Sequence, residues 1–337
     1  MATYTRFSPD DVVITTEKVF TSTWTNNTNN LTTVYTASAD NPDTPGTNFS
    51  TPSSSGQYYI SVYNTTAGSS NAEVQYTVSY GHKAGSGSEN FHSDDSANGY
   101  NASKAVYSQY RSLVYGDETR NFSFNGITPD DIFVININRA RYKQSLRLGS
   151  LNLTFSNGTV LTDDSVTRSG SAVMTNVGRQ YNIVSGSSGV MSGSNLSQTN
   201  SGSFGLFYPD AGFIILNAAA SASLEIDVNR TTNNQSANHA TLLGAFDDFE
   251  LDTQENISSQ FYFVRAKNKE FNYTTNASFI DANGNLNFTS MVDNPVTYIT
   301  TVGLYNDANE LLAVAKLSQP ITKDFTKEAL IKVKLDY

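Results

Sequence analysis

The chain has 337 residues, a net charge of −10, no cysteine, and only 15% charged residues, against roughly 25% in an average soluble domain. The acidic balance excludes a nucleic-acid binder, which needs cations set against phosphates, and the missing cysteines exclude disulfide and thiolate chemistry. The apolar content is 38% and largely aromatic, with 19 Tyr and 19 Phe against one Trp, which argues for an ordered fold over disorder.

That length suits roughly two domains or one large β architecture. Thr, Tyr and Phe fit pleated surfaces, while Asn, Gly and Ser make turns. The expected fold is therefore mainly β: antiparallel, sandwich-like sheets with one or two short helices and long loops. Residues 1–40 read as an extended N-terminal arm, with strand-like Asp11–Thr16 and Val19–Trp24. Its strands either pair at home or add to a neighbour's sheet. The Pro/Gly/Ser run of residues 40–56 is a loop. A β-rich domain is expected over residues 41–216, where Gln57–Tyr63 and Ala72–Tyr80 alternate with period two. In the second strand Val74, Tyr76, Val78 and Tyr80 share one face.

After a Gly/Ser-rich stretch the period lengthens. Val106, Tyr110, Leu113 and Val114 mark a helix over 101–115, with Asn101 or Ser103 as N-cap and Gly116 at its end. Asp131–Asn138 is apolar enough for a strand buried on both faces. Ser156-Asn-Gly158 is a hairpin turn between Ser150–Phe155 and Thr159–Leu161. Residues 163–203 are turn-dense and read as a loop or a set of short strands; Gly212–Leu216 is a short buried strand. Residues 217–257 read as a variable linker, with a polar run at Asn229–Asn238 and a possible short helix at His239–Glu250. The C-terminal β domain, 258–337, contains strands at Ser259–Arg265, Asn285–Thr289 and Ala329–Tyr337. It also holds the clearest local signal in the chain. Two apolar segments flank Asn306-Asp307-Ala308-Asn309, which predicts a β-hairpin between Tyr298 and Lys316.

Residues that could carry chemistry read as structural. His82, His92 and His239 lack a triad context and are expected in loops or at the surface. Adjacent acids at Asp94-Asp95, Asp130-Asp131, Asp163-Asp164 and Asp247-Asp248 suit turns and caps better than a glycosidase pair held across a cleft. Asp281-Ala-Asn-Gly-Asn285 has the look of a calcium loop, but Val292 stands where an EF-hand needs Glu, so an Asn-Gly turn is expected. Arg139, Arg141, Lys143 and Arg147 form a short basic cluster, expected as a solvated strand edge or a salt-bridged subunit contact. Ser8-Pro-Asp-Asp11 is echoed by Thr128-Pro-Asp-Asp131 as shared turn chemistry. No signal peptide and no membrane-length apolar run is legible. The expectation is a non-enzymatic protein without cofactor, metal, nucleic-acid or membrane partner.

Three stretches resemble virion structural proteins of T4-like contractile-tailed cyanophages: Met1–Thr16, Asp131–Leu146 and Asp293–Tyr305. The similarity spans most of the chain and is weakest at residues 40–56 and 217–257. It implies a tail or baseplate component, made in the host cytoplasm and retained in the virion. Its implied partners are other tail proteins and copies of itself in a six-fold ring. A neck, collar or fibre-attachment protein is the alternative, and a host-glycan-binding or glycan-cleaving virion protein is another. The residues expected at assembly contacts are Phe7, Val13, Phe20 and Trp24 of the arm, Arg139 and Arg141 of the basic cluster, and Tyr298, Leu304 and Tyr305 of the hairpin.

Overall fold

The computed structural model describes residues 4–28, 30–31, 35–38, 59–66, 69–84, 103–167, 172–193, 201–226, 228, 235–272 and 277–336. The expected loop at 40–56 lies outside them, as do His92, Asp94-Asp95 and residues 229–234 of the polar run. Strands make up 47% and helices 15%, so the chain is mainly β, as its composition requires.

In chain order the first strands are β1 (Val12–Ser22), β2 (Asn30–Leu31), β3 (Tyr35–Ser38), β4 (Ile60–Tyr63) and β5 (Val74–His82). Helix α1 (Ser103–Tyr115) follows, then β6 (Asp131–Ile137), β7 (Ser145–Leu146), β8 (Asn152–Phe155) and β9 (Val160–Asp163). Next come β10 (Val173–Thr175), β11 (Gly178–Ser187), β12 (Val190–Met191), β13 (Gly205–Tyr208) and β14 (Phe213–Asn217). After α2 (Gln235–Gly244) lie β15 (Phe246–Glu250) and β16 (Asp252–Ala266). The chain finishes with α3 (Thr289–Asp293), β17 (Thr297–Tyr305), β18 (Leu311–Lys323) and β19 (Ala329–Asp336). It forms two compact units, Val19–Glu255 and the pair of segments Met1–Lys18 and Asn256–Tyr337. The chain passes between them twice, within β1 and within β16. The boundaries therefore differ from those expected: residues 1–40 are not a separate arm, because β1 pairs with β16.

The larger unit is built on one antiparallel sheet in the order β2-β15-β8-β9-β11-β13-β14-β6-β5-β4-β3. Its middle strands are buried on both faces, and β6 shows how. Phe133, Ile135 and Ile137 enter one core, while Ile132 and Val134 enter another, because strand side chains alternate. Helix α1 covers the second core with Tyr107 and Val114. Its stripe is rotated from the one expected: Tyr107 is buried and Leu113 exposed. The helix sits close to β5, since a Cβ on Gly81 would lie 2.9 Å from the Tyr107 amide nitrogen. Gly116 ends the helix at φ +64°, its N–H bonded to the Ser112 carbonyl, as a C-terminal glycine should.

The first core shows that this sheet curls. β15 and β5 are seven strand spacings apart along the sheet, about 34 Å if it were flat at ~4.8 Å per strand. Yet the Phe249 and Tyr76 rings lie 5.4 Å apart. The half-barrel is held at this seam by residues 23–25. The Thr23 N–H bonds the Leu251 carbonyl, and the Thr25 N–H bonds Gln75 Oε1 at 3.0 Å. Between them the Trp24 indole N–H donates to the Phe249 carbonyl at 2.7 Å, its ring 4.9 Å from Phe249. Part of the expected linker 217–257 instead supplies this core: among its described residues Leu224, Ile226, Leu242, Leu243 and Phe249 are core residues.

In the smaller unit β16 lies between β1 and β19, with β19 in register from Ser259↔Asp336 to Ala266↔Ala329. Ile331 and Val333 of β19 face inward, while Leu330, Lys332 and Lys334 face out. The hairpin β17–β18 packs against this sheet through Val302 and Leu304, making a small sandwich. Its turn is the one written in the sequence: Asn306 Oδ1 accepts the Ala308 and Glu310 N–H groups, and Asn309 takes φ +63°. A strand expected at Asn285–Thr289 is absent. Asp281 there closes a turn, accepting the Asn283 and Asn285 N–H groups at 2.8 Å; α3 begins at Thr289.

Candidate functional site

The basic cluster is spent within the larger unit. Arg141 donates to Thr25 Oγ1 at 2.6 Å and to Glu73 at 2.8 Å. Arg139 stacks over Tyr142 and donates to its carbonyl. Arg147 pairs with Asp252 at 2.9 Å and covers the Phe20 ring at 4.1 Å. Such a cluster orders its own loop and offers few cations to a phosphate backbone.

The acid pairs do likewise. Asp163 and Asp164 are buried. Asp163 accepts the Gly149 and Ser165 N–H groups, and Asp164 accepts the Asn182 backbone and side-chain amides. Burial raises the Asp163 carboxyl above its ordinary range, against the opposing pull of those bonds. Asp130 instead holds Lys83 in an ion pair, which lowers its own pKa. The echoed Ser8 phrase is used differently: Asp11 reaches back to the Ser8 N–H and hydroxyl in a capping box. Among the described residues no three His, Asp or Glu side chains gather as a metal set, and no helix is long and apolar enough to cross a membrane.

One histidine departs from expectation. His239 sits in α2 fully buried, with neither ring nitrogen hydrogen-bonded. Burial alone pushes it down to about 3, so the imidazole is neutral at neutral pH. The polar residues before it hid its burial, because α2 begins at Gln235 and turns His239 into the curl.

The surface left for contacts lies mainly on the smaller unit. Tyr298, Leu311, Leu312 and Val314 are all more than half exposed, and Tyr305 is 42% exposed. Cross-strand pairing sets Tyr305 beside Leu311 and Gly303 beside Val314 on the outward face of the hairpin. A groove of about 1500 Å³ runs beside this face. All nine residues of β17 line it, odd and even alike, so it follows the edge of the strand rather than one face. Its other wall holds residues 4–8 and β16 from Phe263. Tyr4 meets Tyr305 edge-on at 4.8 Å, and Phe7 lies 5.5 Å from Tyr262.

The residues expected at assembly contacts therefore divide. Phe7, Tyr298 and Tyr305 are exposed in the smaller unit, as is Val13 of β1. Phe20 is exposed in the larger unit beneath Arg147. Trp24 and Leu304 are buried core residues, 2% and 6% exposed, and this corrects their assignment to an outer surface: Trp24 closes the seam, and Leu304 faces inward because β17 alternates. Arg139 and Arg141 are committed inside their own unit. Leu311, Leu312 and Val314 are exposed beside Tyr305 without standing out in the sequence, although period-two alternation across Leu312-Ala-Val-Ala-Lys316 places Leu312 and Val314 on one face.

No protein-family model, no curated protein and no solved structure matches the chain.

Proposed function

We propose that the chain is a structural component of a contractile phage tail, placed in the baseplate, which works through contacts with neighbouring tail proteins and with copies of itself in a six-fold ring. One observation supports this reading above others: the outward hairpin face of Tyr305, Leu311, Leu312 and Val314, beside a strand edge with no pairing partner other than β18 among the described residues. An exposed apolar strand pair with a free edge is a liability for a solitary protein and a resource for one that is covered on assembly. Interface cores favour aromatic side chains and exclude charge, and a chain with 12% aromatic and 15% charged residues suits that demand. Rings follow when head-to-tail contacts close.

The test is quantitative mass spectrometry of purified particles from the phage that encodes the chain. A fixed copy number per tail, in a multiple of the ring symmetry, is expected; absence from the particles overturns the proposal. Labelling at the head–tail junction would move the site to the neck or collar. Retention on host lipopolysaccharide, or sugar release from it, would replace assembly with glycan binding or cleavage.

A further inference from the structure

We infer that the groove along β17 receives the N-terminal arm of a second copy of this chain, so that copies join by exchanging residues 4–8. The inference deepens the assembly reading and rests on it, and three observations carry it.

The first is that the groove already recognises this peptide. Tyr4 meets Tyr305 at 4.8 Å, Arg6 reaches Asp307 at 3.9 Å, and Phe7 meets Tyr262 at 5.5 Å. A surface that fits a segment in its own chain fits the identical segment from another, which is why exchange is a low-cost route to self-association.

The second is that the arm is lightly held. Residues 4–7 belong to no strand and make no backbone hydrogen bond among the described residues. The Arg6–Asp307 pair is almost wholly exposed on both sides, where an ion pair holds little. Tyr4 is half exposed, and Phe7 about a third. Among the described residues, release breaks two ring contacts and one screened pair. The exchanged segment ends at the Pro9–Asp11 turn, held by the Ser8–Asp11 capping box, where the chain turns from arm to β1.

The third is room and an open edge. The groove keeps about 1500 Å³ beside the arm, more than one extended peptide of this length fills. The edge of β17 along it has no partner strand among the described residues. An arm arriving from another copy is not tethered to this copy's β1. It can therefore lie parallel to β17 and add backbone hydrogen bonds, as strand addition does, while the same aromatic pockets set its register. The arm's cation and the acidic Asp307 at the hairpin turn orient it.

The chain has no cysteine, which makes the test clean. Arg6→Cys and Asp307→Cys are prepared separately, since both positions are exposed and neither ring contact is touched. The two purified variants are mixed at high concentration and treated with a short bismaleimide. Arm exchange predicts a covalent dimer joining position 6 of one chain to position 307 of another, in at least several-fold greater yield than either variant forms alone. It predicts that deleting residues 1–8 abolishes self-association without changing the circular dichroism spectrum. Equal yields from the mixture and the single variants would overturn it. So would a doubly substituted R6C/D307C chain that links only within itself while the mixture forms no dimer. A protein found in particles yet failing this crosslink keeps its place in the tail and loses only the exchange.

Discussion

The seam of the half-barrel rests on Phe249, and Phe249→Ala tests it. Phe249 is 1% exposed, and its ring contacts Trp24 at 4.9 Å and Tyr76 at 5.4 Å. It is the side chain through which β15 meets β5 across the curl. Truncating a buried Phe costs about 3–5 kcal/mol, as lost transfer energy plus a cavity that collapses only in part. The site collapses poorly, because three elements converge on the ring and each is fixed by backbone bonds. The lone tryptophan supplies the assay. Trp24 emission should move to longer wavelength on unfolding, since its indole goes from 2% exposure to water. With a urea slope of about 2–3 kcal/mol per molar, the midpoint should fall by about 1–2 M. Native Trp24 emission should also shift as its packing loosens. A midpoint lowered by less than about 0.3 M, with unchanged emission, would refute the seam, because an open sheet leaves Phe249 bearing on one neighbour only.

Three further outcomes follow from single side chains. His239 is neutral in the fold and protonates near its ordinary 6.5 when unfolded, with its folded value pushed to about 3. The unfolded state therefore binds a proton first as pH falls, and stability should drop by about 2 kcal/mol between pH 7 and pH 5. His239→Leu, which removes no hydrogen bond, should make that loss markedly smaller; the lowered carboxyls of Asp130 and Asp210 do not yet titrate in this window, and the raised Asp163 carboxyl, which takes up its proton first in the fold, opposes the loss in both proteins. An unchanged slope would contradict the buried neutral imidazole. Lys323 is fully buried, and its ammonium donates to the Asn268 carbonyl, Asn272 Oδ1 and the Asp324 carbonyl at 2.9–3.0 Å. Lys323→Met should cost the smaller unit about 1–3 kcal/mol by orphaning those oxygens, read by thermal unfolding. Asn309→Val forces a β-branched residue to φ +63° and should cost about 1–2 kcal/mol, seen as faster amide exchange in β17 and β18; Asn309→Gly should not.

Local signals made much of the fold legible. The β17–β18 hairpin, the alternation of β19, the double-sided burial of β6 and the Gly116 stop are all set by a few neighbouring residues. What was not legible depends on partners far along the chain. In the sequence β11 reads as either a loop or a short strand because Gly178, Asn182, Ser185 and Gly186 weaken its pattern; β9 and β13 flank it and bury Ile183 and Val184, which makes it a ten-residue strand. Curl is invisible locally, so in the sequence Trp24 reads as a surface aromatic and residues 217–257 read as a linker. The exposed hairpin face is half legible: Tyr298 and Tyr305 stand out as aromatics, whereas Leu312 and Val314 read as ordinary strand residues. Their exposure shows only once the opposite face is found packed on β16 and β19.

Assembly into a tail ring is tested most directly by locating the chain in the mature particle. Side-chain-resolution imaging of the intact tail should place it in a closed ring at the distal end, with a neighbour covering Leu311, Leu312 and Val314 and shielding the edge of β17. A tail ring solved to that resolution in which the hairpin face stays bare to solvent, or a particle that lacks the chain altogether, would contradict it.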